Sequence, residues 1–278
     1  MSKKRKVLFA FGILLIALGV GYLSFRLVSG IRARQQQETM HSVAFKETTT
    51  EPETTEEPTT VPPTTEAVVT ETEAPVTTTE YKEPYISPID FEALWEINPD
   101  IYAWLELVDT DISYPVLQHP TNNDYYLYHT PEGESGFPGS IYSFNVNAKD
   151  FSDFNTVLYG HRMNDGTMFS KLHEYRDETY LKEHQTVKIY LPDRELVYTI
   201  FASVIYDDRL ITSYYDFSDP ESCQWYLDSI YGNRNMNSHI LTEPQVTVED
   251  RILTLSTCVK GQENNRYLVV AVLTDEIT

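Results

Sequence analysis

The chain has 278 residues, 42 acidic against 21 basic side chains, a formal net charge of −21 and only two cysteines. That length accommodates one sizeable domain with appendages. The acid excess argues against a surface built to neutralise nucleic-acid phosphates, and two cysteines with histidines in no ligand-like pairing leave no zinc cluster.

Residues 1–6 form a basic tail with Lys3, Lys4, Arg5 and Lys6, and Val7 to Phe25 is an uncharged, mostly apolar stretch. Such a stretch is long enough to cross a bilayer, and the basic flank favours an inside N-terminus. Arg26, Arg32 and Arg34 weaken that asymmetry, and the first acid is Glu38. The apolar region is longer than that of a signal peptide, and no small-x-small cleavage site follows. Residues 7–29 are therefore expected to be a retained single-pass transmembrane anchor, with everything beyond it extracellular.

Residues 47–80 are almost entirely Thr, Glu and Pro. Such a composition buries too little apolar surface to offset its ordering entropy, and its like charges repel. Residues 30–80 are read as a disordered extracellular stalk. From Glu38 onward the chain carries 14 basic and 42 acidic side chains, a net of −28. Docking of that part on an anionic membrane by charge alone is disfavoured.

The folded domain is expected over residues 81–278. Ser87-Pro88-Ile89-Asp90 reads as a helix start, with serine as the cap and proline in the first turn. Phe91, Leu94 and Trp95 then mark one face, and Ile101–Leu105 reads as a second short helical piece. Beyond it the pattern is β: residues 112–117, 140–144, 156–159, 187–191, 196–206, 251–258 and 267–273. Short strands separated by turn signals predict a barrel or a sandwich, and the pattern alone does not choose. One more helix opens at Ser218-Asp219-Pro220-Glu221, which reads as a capping box with Ser218 at the cap, and Cys223, Tyr226, Leu227 and Ile230 form its apolar stripe. On that stripe Cys223 reads as a small buried hydrophobe, with no disulfide to the other cysteine.

The chemistry concentrates at the end. Leu253-Thr254-Leu255-Ser256-Thr257-Cys258 is a β-forming run ending in a thiol, and Arg266 stands at the entrance of the next run. Residues 259–265 are turn-like, so the two runs read as neighbouring strands with Cys258 and Arg266 close in space. A thiol nucleophile needs a base or a positive field, and acyl transfer needs a donor for the oxyanion. The missing histidine is sought upstream. Thr156–Tyr159 is a short strand, Gly160 breaks it, and His161 follows in a loop, where side chains reach into clefts.

These segments resemble the sortases, the membrane-anchored cysteine transpeptidases of Gram-positive bacteria. Thr254-Leu255-Ser256-Thr257-Cys258 looks like their nucleophile motif, Tyr159-Gly160-His161 like their histidine segment, and Arg266 like the arginine of the following strand. The serine before Thr257-Cys258 points to class B. So do Asp153–Phe169, Asn98-Pro99-Asp100, Tyr114–Gln118 and Asn123–Leu127, and the resemblance covers roughly residues 88–275. It implies a mainly β fold: a closed eight-stranded barrel with N-terminal helices and a long helix before the nucleophile strand. It implies His161, Cys258 and Arg266 as catalytic residues, Ser256 and Thr257 as substrate contacts, and no cofactor or metal. It also implies the reaction: cleavage of a C-terminal sorting signal after threonine, then transfer through a Cys258 thioester to an amine of a cell-wall precursor. The implied partners are exported proteins bearing that signal and the amine acceptor. Alternatives are a pilin-polymerising enzyme using a lysine acceptor, a cysteine protease that hydrolyses the thioester, and a non-catalytic anchored surface module. The connection from Cys258 to Arg266 is short for class B, which bears on the shape of the substrate groove.

Overall fold

The computed structural model describes residues 3–45 and 84–278. The Thr/Glu/Pro-rich stretch lies outside them. Nine strands form one sheet: β1 (Ile101–Leu107), β2 (Ser113–Leu117), β3 (Ile141–Ser143), β4 (Asn155–Tyr159), β5 (Thr186–Tyr190), β6 (Glu195–Asp207), β7 (His239–Ile240), β8 (Ile252–Val259) and β9 (Gln262–Ile277). Their order is β5-β1-β2-β3-β4-β8-β9-β6-β7, and an additional β5–β6 pairing closes eight of them into a barrel. Two-residue β7 hangs on the outside of β6. Closure removes the unpaired edges that an open sheet would expose.

Strand alternation sorts side chains to the two faces. On β8, Leu253 and Leu255 point into the barrel with Leu105, Val116, Leu158 and Val269. Ile252 faces outward into a second core. There it meets helix α5 (Pro220–Tyr231), whose Tyr226, Leu227 and Ile230 are buried. Thr254 faces the same way, and its hydroxyl meets that of Tyr226 at 2.8 Å and donates to Asn155 Oδ1 at 2.9 Å. Asp219, and not Ser218 of the expected capping box, caps α5, its side chain accepting from Glu221 N–H, and Pro220 occupies the first turn. Cys223 is buried on this helix, and both cysteines are free. Short helices α3 (Glu178–Glu183) and α4 (Ile211–Tyr214) and the 3-10 turn Phe169–Arg176 fill the connections.

The N-terminal part departs from expectation in three places. The cap of helix α2 (Phe91–Ile97) is Asp90, whose carboxylate accepts from Ala93 N–H at 2.9 Å, and not Ser87. Ile101–Leu105, read as helical, belongs to β1. A short apolar run does not announce its period, and this one is buried on both faces by the barrel and by α2. Third, residues 30–44, assigned to the stalk, continue helix α1 (Lys3–Ala44). Ala33, Met40 and Ala44 recur at helical spacing and are buried, and Met40 and Ala44 pack with Phe91, Leu94, Trp104 and Leu117. The expected anchor over residues 7–29 lies within α1; among the described residues no helix is long and apolar enough to cross a membrane.

Candidate active site

One rim of the barrel gathers the chemistry. Strands β4 and β8 run parallel, with Tyr159 opposite Ser256. Gly160 N–H donates to Ser256 O at 3.1 Å, and the Thr257 hydroxyl donates to Gly160 O at 2.8 Å, so the register persists past the end of β4. Carried forward in parallel register, His161 comes level with Cys258. On the other side, antiparallel β9 places Arg266 directly opposite Cys258. Cross-strand partners present their side chains on the same face. The thiol therefore stands between an imidazole and a guanidinium on three adjacent segments.

Local structure explains each placement. The β8–β9 hairpin turns at Lys260-Gly261, where Gly261 adopts φ 72°, a conformation that favours glycine. Between Cys258 and Val259 the register slips, and residues 263–265 bulge out of β9. Arg266 folds over that bulge, with Nη1 donating to Glu263 O at 3.0 Å and to Asn265 O at 3.1 Å. Its Nε and Nη2 make no hydrogen bond to the described residues. At position 160 a side chain has no room, because a Cβ would lie 2.5 Å from Ile141 Cδ1 and 2.6 Å from Phe169 Cδ2. Glycine there lets the chain leave β4 tightly and hand His161 to the cleft.

His161 is held on two sides. Its Nε2 lies 2.9 Å from Leu127 O, and its ring stacks on Phe137 with centroids 4.7 Å apart. A carbonyl only accepts, so Nε2 carries the hydrogen and Nδ1 is left as the basic nitrogen. Burial lowers the pKa of the imidazole below its ordinary value, and the bond to Leu127 opposes that shift.

The three residues line one cleft of about 340 Å³. Its apolar wall is made by Leu127, Tyr142, Phe144 and Tyr159, and Leu210 and Ile211, leading into α4, close the other side. Ser256 and Thr257 line the same cleft. Both are buried, and the Thr257 hydroxyl is engaged by Gly160 O. Cys258 is exposed to the cleft.

Sequence reasoning missed three parts of this site. Leu127 lies in a segment noticed only for its resemblance, and its backbone oxygen fixes the histidine tautomer. Phe137, which stacks on His161, follows a glycine and precedes a proline and reads as plain loop. His173, on the 3-10 turn, approaches the backbone of Cys258, with Nε2 3.0 Å from Cys258 O. Its ring packs on Tyr267 at 4.8 Å, and its pKa is pushed down to about 4, mainly by burial. No local pattern marks that histidine, because its partner is 85 residues away.

Comparison with known proteins identifies the family and the fold. The family model described as Sortase domain matches residues 105–274. Sortase B of Listeria monocytogenes is 35% identical over 180 residues, covering 63% of this chain and 70% of that protein. The solved Clostridium perfringens sortase B is 31% identical with a TM-score of 0.60, covering 66% of this chain and 100% of that one. A Staphylococcus aureus sortase B–substrate complex is 32% identical with a TM-score of 0.59, covering 66% of this chain and 84% of that one.

Proposed function

Because the chain belongs to the sortase family, in its class B, and is a cysteine transpeptidase, we propose that Cys258, His161 and Arg266 transfer an acyl group from a C-terminal sorting signal to an amine. The supporting observation is the register that sets Cys258 directly opposite Arg266 and level with His161.

In the first step the Cys258 thiolate attacks the carbonyl of the signal's threonine. A tetrahedral oxyanion forms, and the unengaged Nε and Nη2 of Arg266 are the donors placed to meet it, with a backbone N–H after Cys258 as a second donor. Nδ1 of His161, protonated, gives its proton to the departing amine, and the C–N bond breaks to leave a thioester. In the second step an acceptor amine attacks the thioester, His161 takes its proton, and the Cys258 thiolate leaves. The neutral amine of a cell-wall precursor or of a protein lysine satisfies this chemistry equally. The apolar wall of Leu127, Tyr142, Phe144 and Tyr159 suits a proline-containing signal.

The same reading places the enzyme at a cell membrane with its barrel outside. Ile13, Leu14, Leu15, Ile16 and Leu18 on α1 are all exposed, a concentration of apolar surface that marks an interaction with lipid or protein. A basic cluster precedes it. Fractionation of cells expressing the full chain tests this: recovery with membranes supports it, and recovery in the culture medium overturns it.

The test of the chemistry uses quenched peptides carrying Asn-Pro-x-Thr, Leu-Pro-x-Thr and Ser-Pro-x-Thr signals with an added amine. The expected result is an acyl adduct on Cys258 by intact mass, ligated product, and neither with Cys258→Ala. If no peptide gives an adduct and the thiol also resists alkylation at neutral pH, the catalytic reading fails.

A further inference from the structure

The catalytic histidine sits on a loop, and the loop is gripped by a helix from the other end of the sequence. The loop runs from His161 to Phe169 and is closed at its base by Phe169 N–H donating to His161 O at 3.0 Å and by a bridge between Arg162 and Met168. Met168 holds φ 56°, the left-handed region, which a non-glycine residue keeps only when its surroundings impose it. Its N–H donates to the Tyr114 hydroxyl at 2.8 Å. That hydroxyl in turn donates to Oε1 of Gln37 on α1 at 2.9 Å. At the loop's tip, Arg34 of α1 donates from Nη2 to Asp165 O at 3.1 Å.

The helix that supplies these contacts is seated firmly. Met40 is 1% exposed in the core against Trp104, and Phe45 meets the Trp104 ring edge-on with centroids 5.7 Å apart. Gln37 also donates to Asp111 O at 3.0 Å. Just before α2, Asp90 N–H donates to Ala44 O at 2.9 Å. The chain therefore leaves the barrel at Phe45 and is back beside the same turn of α1 at Asp90.

From this arrangement we infer that α1 is a working part of the active site, with Arg34 and Gln37, through Asp165 and Tyr114, acting as positioning residues for His161. None of them touches the reacting atoms. Their effect passes through the two ends of the histidine loop, one at its tip and one at the strained Met168. The role assigned to His161 rests on the transpeptidase reading given above, but the docking of α1 does not.

Two experiments test it on the full chain. In the first, a recognition sequence for a site-specific protease is inserted after Thr60 and cut. The expected result is that both fragments co-migrate in size exclusion without denaturant, and separation would overturn the inference. The second compares Gln37→Leu, Tyr114→Phe and their double variant. The expected result is a kcat about tenfold lower with KM unchanged, and a double variant no worse than the poorer single one. The His161 imidazole resonance, assigned with His161→Gln, is expected to shift in each variant, a readout that needs no substrate. Arg34→Ala should lose activity that Arg34→Lys partly restores. Unchanged kcat and an unmoved His161 resonance in Gln37→Leu and Tyr114→Phe would reduce α1 to packing and overturn the positioning role. Should the wild type fail to turn over any peptide while the fragments co-migrate and the resonance shifts, the transpeptidase reading fails and the brace stands.

Discussion

The two sides of the cleft are built by different means. Cys258 and Arg266 are fixed by backbone ladders, with β8 hydrogen-bonded to β4 on one side and to β9 on the other. His161 lies beyond the end of its strand and is fixed by side-chain contacts: the Leu127 carbonyl, the Phe137 ring, and the links from Met168 and Asp165 to α1. Ladder positions are set by register, and a slip of one residue would turn every side chain over, so they are held with the whole barrel. Loop positions are held by a few separable bonds. The Cys258 side should then tolerate chemical substitutions without moving, while the His161 side should lose geometry and stability together.

The sharpest division is expected at Arg266. Arg266→Ala removes the proposed oxyanion donor from a rigid hairpin, so kcat should fall by about 10²–10³ with the melting temperature nearly unchanged. A large loss of stability would show that the arginine's bonds to Glu263 and Asn265 hold the hairpin, and would erase the contrast. Gly160→Ala is the counterpart on the other side. The added methyl meets Ile141 and Phe169, and overpacking of this kind costs about 1–3 kcal/mol. Chemical denaturation should record that loss together with a lower kcat. Unchanged stability would mean that the loop yields freely.

A smaller effect is expected behind β8. Tyr226→Phe breaks the hydroxyl chain through Thr254 to Asn155, which should cost about 1 kcal/mol and leave kcat as it was, because the ladders keep Cys258 in place. The smallest concerns pH. Burial lowers the pKa of both His161 and His173, the latter to about 4 from 6.5. The unfolded chain then binds protons that the folded chain declines, so stability is full above about pH 6.5 and falls as pH drops towards 4. The melting temperature should fall by about a few degrees between pH 7 and pH 5, and His173→Gln should flatten that slope.

Much of the ladder side was legible in the amino-acid sequence. An alternating run ending in Cys258, a polar turn with Gly261 and a second run from Tyr267 define a hairpin, and a hairpin brings Cys258 to Arg266. Gly160 announced a break after β4, and the helix start around Pro220 and the apolar stripe of α5 were plain, though the cap fell on Asp219 and not on Ser218. The choice between a closed barrel and a sandwich was not, because closure depends on β5 meeting β6 and β1 from opposite sides. The family resemblance made that choice. What stayed hidden was set by distant partners. Residues 30–44 carry few apolar side chains among arginines and glutamines, and only contact with Trp104, Tyr114 and Asp165 gives them a place. Leu127 acts through its backbone oxygen, which no residue type reveals. Ile101–Leu105 is apolar on all sides because both faces are covered, which removes the alternation by which a strand is recognised.

The placement of the two thiols has a consequence for oxidative damage. Cys258 is exposed, whereas Cys223 is 3% exposed on α5, with its Sγ donating to the Phe217 carbonyl at 3.4 Å. A sulfenic acid formed on Cys258 would therefore find no resolving thiol within the molecule. Its fates are capture by a small external thiol, which is reversible, or further oxidation to the sulfinic acid, which is not. Turnover in an oxidising compartment would then depend on an outside reductant reaching the same cleft that the substrate uses.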